Sequence, residues 1–175
     1  MRIEPSRLDG VVTFAPNLGW HDVPVLAGLT ARLAPDHPVR VENDANLSAI
    51  AEWASGPEAR TPNLVYLTGE VGVGGGVIVD GRLLRGTAGF AGEVGHNPLG
   101  DPSVVCGCGR RGCWETAVGL GALLRAAADP GDPVRDASRD LETRLAEIAA
   151  RADAGDRRTL DALAEVGAAL GTGAA

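Results

Sequence analysis

Apolar residues recur along this chain in two periods. Val11 to Phe14 is a short β-branched and aromatic run that predicts a strand. Ala15-Pro16-Asn17-Leu18-Gly19-Trp20 follows, and its Pro, Asn and Gly predict a loop. Val25, Leu26, Leu29 and Leu33 fall at helical spacing, so residues 25–33 predict a helix, which Pro35 and Pro38 end. Val39–Val41 predicts another short strand, running into Glu42-Asn43-Asp44. A helix then starts near Asn46 with Leu47, Ile50 and Trp53 on one face, and Asn43 and Asp44 stand where N-caps are favoured. Residues 56–62 read as a linker.

The second half opens on an apolar run, Leu64 to Thr68, followed by a cluster of glycines at 72, 74, 75 and 76. Val77-Ile78-Val79 and Arg82-Leu83-Leu84 flank Asp80-Gly81, a strong hairpin signal. Three antiparallel strands are expected here. A glycine- and cysteine-rich loop spans 86–112. Helical spacing then dominates, with helices expected over 115–128, 141–152 and 159–170. No internal repeat of fixed period is visible.

Charge narrows the function classes. Sixteen basic against 23 acidic residues leave a net charge of −7 in 175 residues, which disfavours direct nucleic-acid binding by this chain. Aromatic residues are only 3%, too few for base-stacking platforms. Nothing reads as a signal peptide or as a run of 18 apolar residues, so the expected place is the cytoplasm, with no membrane partner.

The cysteines carry the clearest chemistry. All three lie within eight residues, Cys106-Gly-Cys108-Gly-Arg-Arg-Gly-Cys113, and His96 stands ten residues before the first. Three thiolates and one imidazole are the donor set of a closed, tetrahedral structural zinc site. Gly107, Gly109 and Gly112 let the backbone curl tightly enough to aim three sulfurs at one point. A disulfide is the weaker reading, because three is odd and a Cys-x-Cys bridge is strained. Unrelated core thiols are the bland one.

Glu93-Val-Gly-His96, followed by the cysteine run and Trp114-Glu115, resembles the joint signature of the ROK family of repressors, open reading frames and sugar kinases. Ala15-Pro-Asn-Leu-Gly-Trp20, Glu42-Asn-Asp-Ala-Asn46, and Gly72-Val-Gly-Gly-Gly76 leading to Asp80-Gly81 resemble it too. The resemblance runs from about Gly10 to the C-terminus. It implies an α/β, actin-like ATPase (ribonuclease H-like) fold, present in part, with a zinc-binding loop at 96–113. Residues 1–60 would end a first lobe and 61–175 would form most of a second, a sugar binding in the cleft between lobes. By motif, Asn43, Asp44, Glu93, His96 and Glu115 would contact sugar hydroxyls. In a kinase, Asp44 would also be the general base. His96 would ligate zinc through one ring nitrogen and face the sugar through the other, with Cys106, Cys108 and Cys113 completing the metal site. Gly72, Gly74, Gly75 and Gly76 would form a phosphate-contacting loop for ATP and magnesium. Family members also commonly pair, so a homodimer is an expectation.

Each assignment has a plainer reading. Asp44 on its own reads first as a helix N-cap, the glycine run as a tight hairpin, Glu115 as a first-turn helix acid, and Glu93 as a solvated loop carboxylate. Trp20, Trp53 and Trp114 read as core, and His21 and His37 as exposed loop residues. The chain also departs from family kinases. It lacks their Asp-x-Gly-x-Thr phosphate loop, and Thr68-Gly69-Glu70-Val71-Gly72 puts an acid where nucleotide phosphates would lie. No helix-turn-helix of the repressor branch is visible. The expectation is therefore a zinc-stabilised, sugar-sensing module of a regulator from the centre of a longer protein, leaning away from catalysis. The alternatives are the core of an ATP-dependent hexose or N-acylhexosamine kinase, and a relic that keeps only its zinc knuckle.

Overall fold

The computed structural model describes residues 10–15, 18–33, 36, 38–57, 59–69, 71–87 and 89–175. They group into two compact units. One is built mainly from the described residues up to Thr68 together with 74–94, the other from 69–73, 95–106 and 110–175.

The first unit begins with β1 (Val12–Ala15) paired antiparallel to β2 (Trp20–Val23), in the register Val12↔Val23, Phe14↔His21, Ala15↔Trp20. The loop expected up to Trp20 therefore ends earlier. Gly19, at φ 64°, turns the chain back on itself, and His21 is an exposed strand residue rather than a loop residue. Helix α1 (Val25–Leu33) keeps the expected bounds. The strand expected at Val39–Val41 does not form. Two valines around Arg40 become a strand only where a ladder partner receives them, and none does among the described residues.

Helix α2 (Asp44–Ser55) starts two residues before the expected point and turns a different face inward. Leu47 is 52% exposed, while Ala45, Asn46 and Ala49 are buried. The reason lies in the sheet, which has β3 (Leu64–Gly69), β4 (Val73–Val79) and β5 (Arg82–Leu83) in that order. β4 carries the glycine run. A Cβ on Gly76 would stand 2.5 Å from Ala49 Cβ and 2.8 Å from the Ala45 carbonyl oxygen, and one on Gly74 would stand 3.0 Å from Ala45 Cβ. The small face of α2 thus lies almost on the strand backbone. On Gly75 the new atom would meet Val94 Cγ2 at 2.7 Å. Gly74, Gly75 and Gly76 are strand residues, not the loop that the resemblance implied. The hairpin signal holds. Asp80 (φ 50°) and Gly81 (φ 72°) both take the left-handed conformation that a two-residue turn requires, and β4 and β5 pair antiparallel across it.

The second unit is helical. The single helix expected over 115–128 is two: α3 (Glu115–Val118) and α4 (Leu120–Ala127). Gly119 breaks them by adopting extended backbone (ψ 167°), while its N–H closes α3 on the Glu115 carbonyl at 2.9 Å. α5 (Leu141–Asp153) and α6 (Arg157–Ala174) follow. Asp140 caps α5 by accepting from the Thr143 N–H at 2.9 Å. Leu124, Ala127, Ala128, Val134, Ile148 and Ala162 form the buried cluster of this unit. Each large aliphatic member contributes roughly 1.5–3 kcal/mol by leaving water. Arg144 reaches in to donate to the Val134 carbonyl at 2.7 Å. Trp114 is 1% exposed and donates its indole N–H to the Ala169 carbonyl at 2.9 Å, tying the start of α3 to α6. No described helix is long and apolar enough to cross a membrane.

Candidate metal centre

The loop before α3 is a small ladder rather than a random coil. Gly100 N–H donates to the Gly112 carbonyl (2.9 Å), Gly112 N–H to Val104 (3.0 Å) and Cys106 N–H to Arg110 (2.8 Å), and Val105 bridges Arg111. Gly109 (φ 84°) and Gly112 (φ 68°) supply the left-handed turns this path needs. Gly107 does not take a left-handed φ, so only two of these three glycines use glycine's conformational freedom. His96 ends a short 3-10 turn, Val94–His96. The Trp114 N–H donates to the Asn97 carbonyl at 2.8 Å, which brings the two ends of the loop together.

This path gathers His96, Cys106, Cys108 and Cys113, with one donor atom from each lying within 4.8 Å of all the others. Three of the four are buried, and no disulfide joins the thiols. His96 Nδ1 lies 3.7 Å from Cys106 Sγ. A tetrahedral zinc with one sulfur and one nitrogen ligand has an S···N edge of about 3.6 Å from its bond lengths. The donor chemistry and spacing therefore fit a tetrahedral metal ion, with Nδ1 as the metal-facing nitrogen of His96.

Glu115, the first residue of α3, joins the same cluster. Its Oε1 accepts from Cys106 Sγ at 2.8 Å and lies 3.7 Å from His96 Nδ1. No sequence signal marked this contact beyond the closeness of Cys113 and Glu115 in the chain. Glu115 is thus more than a first-turn helix acid.

The remaining expected residues belong to the first unit. Asn43, not Asp44, is the N-cap of α2, its Oδ1 accepting from the Asn46 N–H at 3.1 Å. The capping need that explained Asp44 is met by its neighbour, and Asp44 is exposed in the first turn, its Oδ1 accepting from the Ala45 N–H at 2.9 Å. Glu42 was missed as a functional candidate. Its carboxylate accepts from the Asn43 N–H (3.1 Å), the Asn46 side-chain amide (3.3 Å) and Arg85 Nε (2.9 Å). Burial works to raise its pKa, but Arg85 and these amide donors together hold it below the usual carboxylate range. Glu42 therefore stays an ionised tether for the Asn43-Asp44 turn. Glu93 is half-buried and donates its N–H to the Phe90 carbonyl at 3.3 Å. Glu70, His37, Pro35, Pro16 and Asn17 lie outside the described residues.

Comparison with known proteins places these features in one class. The ROK family profile matches residues 5–175. The solved glucokinase of Streptomyces griseus, in complex with glucose and AMPPNP, superposes at a TM-score of 0.76 with 30% identity over 98% of this chain and 57% of that one. The chain belongs to the ROK family, and its mixed α/β fold is of that family's actin-like sugar-kinase type. It is 32% identical over 165 residues to the xylose repressor of Bacillus subtilis strain 168, covering 94% of this chain and 40% of that protein. It is also 39% identical over 122 residues to the glucokinase of Streptomyces coelicolor, covering 70% of this chain and 38% of that protein. The chain thus spans well under two thirds of the length of these relatives.

Proposed function

We propose that this chain is the sugar-recognising part of a ROK-family transcriptional regulator, held in shape by one structural zinc ion. The single observation that carries the reading is the Glu115 carboxylate packed at the edge of the His96, Cys106, Cys108 and Cys113 cluster. A carboxylate and an imidazole pinned at one place can read adjacent sugar hydroxyls, each of which both donates and accepts. Buried polar groups left unpaired would reject a wrong epimer.

In this reading His96 holds the metal through Nδ1 and offers Nε2 to a hydroxyl. Glu115, Glu93, Asn43 and Asp44 complete the contacts, and Glu42 with Arg85 keeps the Asn43-Asp44 turn in place. Zinc would supply no reaction chemistry, only a fixed ring orientation and a rigid loop. The ligand is a small sugar. The net charge of −7 disfavours direct nucleic-acid contact by this chain.

A second reading is an ATP-dependent sugar kinase. It is favoured by Asp44, which is exposed at the start of α2 and released from the capping job by Asn43, as a general base must be. Glu70 weighs against this, because an acid there repels a polyanionic nucleotide.

Titration calorimetry with a panel of hexoses, with and without ATP and magnesium, separates the two. Sugar heat that nucleotide does not alter supports the regulator. Sugar phosphate in the mixture establishes the kinase. No heat with any sugar removes both. Cys108→Ser should lower zinc content and sugar affinity together, and retained affinity after zinc loss would break the proposed link.

A further inference from the structure

The approach to β4, Val71-Gly72-Val73, touches three successive features of the metal centre. The Val73 carbonyl lies so near Gly95 that a Cβ there would collide with it, and Gly95 immediately precedes His96. A Cβ on Gly119, at the end of α3, would stand 3.0 Å from the Val71 carbonyl oxygen. Between these two contacts, a Cβ on Gly72 would stand 2.8 Å from Glu115 Oε2 and, beyond its chain neighbours, meet no other described residue within 4 Å. Gly72 does not take a left-handed φ, so its backbone would accept alanine without strain. What the missing side chain leaves open is room for one carboxylate oxygen.

We propose that Gly72 is a positioning residue for Glu115. The bare backbone at 72 forms the wall against which the Glu115 Oε2 rests. The consequence for ligand binding rests on the sugar reading above, while the placement of the carboxylate does not. This gives the first glycine of the run a task on the metal side of the second unit. It differs from Gly74 and Gly76, whose open Cα positions receive α2.

The displaced atom is the far end of a flexible side chain. Gly72→Ala should therefore cost little stability and no zinc, but should swing the Glu115 carboxylate away from its place. The measurements are zinc content, the thermal midpoint, the carboxyl carbon resonance of Glu115 in the labelled chain, and sugar affinity by calorimetry. Zinc and midpoint are expected to hold while the Glu115 resonance alone among the glutamates moves. Affinity for the sugar selected from the panel should fall about 10-fold, the scale of one misplaced charged hydrogen bond.

In a Glu115→Asp background the shorter carboxyl clears the new methyl, so adding Gly72→Ala should change affinity by less than about 2-fold. A merely structural glycine would show the same loss in both backgrounds. An unmoved Glu115 resonance overturns the proposal, as does an equal loss in the Glu115→Asp background. A moved resonance in a chain that binds no sugar upholds the positioning and sinks the sugar reading instead.

Discussion

The two units reach close packing by opposite means. In the first, β4 meets α2 through Gly74 and Gly76 against Ala45 and Ala49, so backbone approaches backbone with almost no side chain between. In the second, Leu124, Val134 and Ile148 fill the space among the helices, and Trp114 spans from α3 to α6. A core made of absent atoms is damaged by adding them, and a core made of large side chains by removing them.

The contrast can be broken at named positions. The largest effect is expected for Trp114→Ala, which empties a fully buried site and removes the indole bond to Ala169. Chemical denaturation should register a loss of about 4 kcal/mol. Next comes Gly76→Val in the first unit. Its added atoms enter the space of Ala49 and the Ala45 carbonyl, for a loss of about 2–3 kcal/mol. Were Gly76→Val neutral, the close approach of α2 to β4 would be wrong. Gly167→Ala sharpens the point from the other side. Gly167 lies inside α6 with no atom of another described residue within 4 Å of its open position, so alanine should stabilise by about 0.5–1 kcal/mol.

The smallest effect concerns acid. The bidentate hydrogen bonds from Arg151 (both 2.8 Å), helped by the Val134 N–H, pull Asp132 down to about 2. A carboxyl whose pKa is lower folded than unfolded stabilises the fold above its ordinary value near ~3.9. That contribution disappears as pH falls through about 2. Thermal midpoints from pH 5 to pH 2 should decline, and Arg151→Gln should flatten that decline. A slope that Arg151→Gln leaves unchanged would show the pair to be idle.

Much of the outline was legible before any coordinates. Helices α1, α5 and α6 announced themselves by 3.6-residue spacing, and the β4–β5 turn by Asp80-Gly81, because these signals are local. The gathering of His96 with the three cysteines was legible for a related reason. Three sulfurs separated by glycines have few ways to point apart. What was misread depended on partners distant in sequence. Leu47, Ile50 and Trp53 share one face of α2 by hydrophobicity, yet Leu47 is exposed and the fully buried positions include Ala45 and Ala49, where β4 offers a glycine surface. The helix over 115–128 looked continuous, but Gly119 takes extended backbone between α3 and α4.

From its residues alone, this chain determined which stretches could coil, where one hairpin must turn, and that three thiols and an imidazole make a donor set that could hold a metal ion. Only the folded chain decided that Asn43 rather than Asp44 caps α2, that the glycines of β4 serve packing, and that Glu115 rests between Gly72 and Cys106. Local choices are governed by torsional preference and short loops, which neighbours in sequence supply. A carboxylate's resting place is governed by which backbone leaves it room, and that backbone lies more than forty residues away.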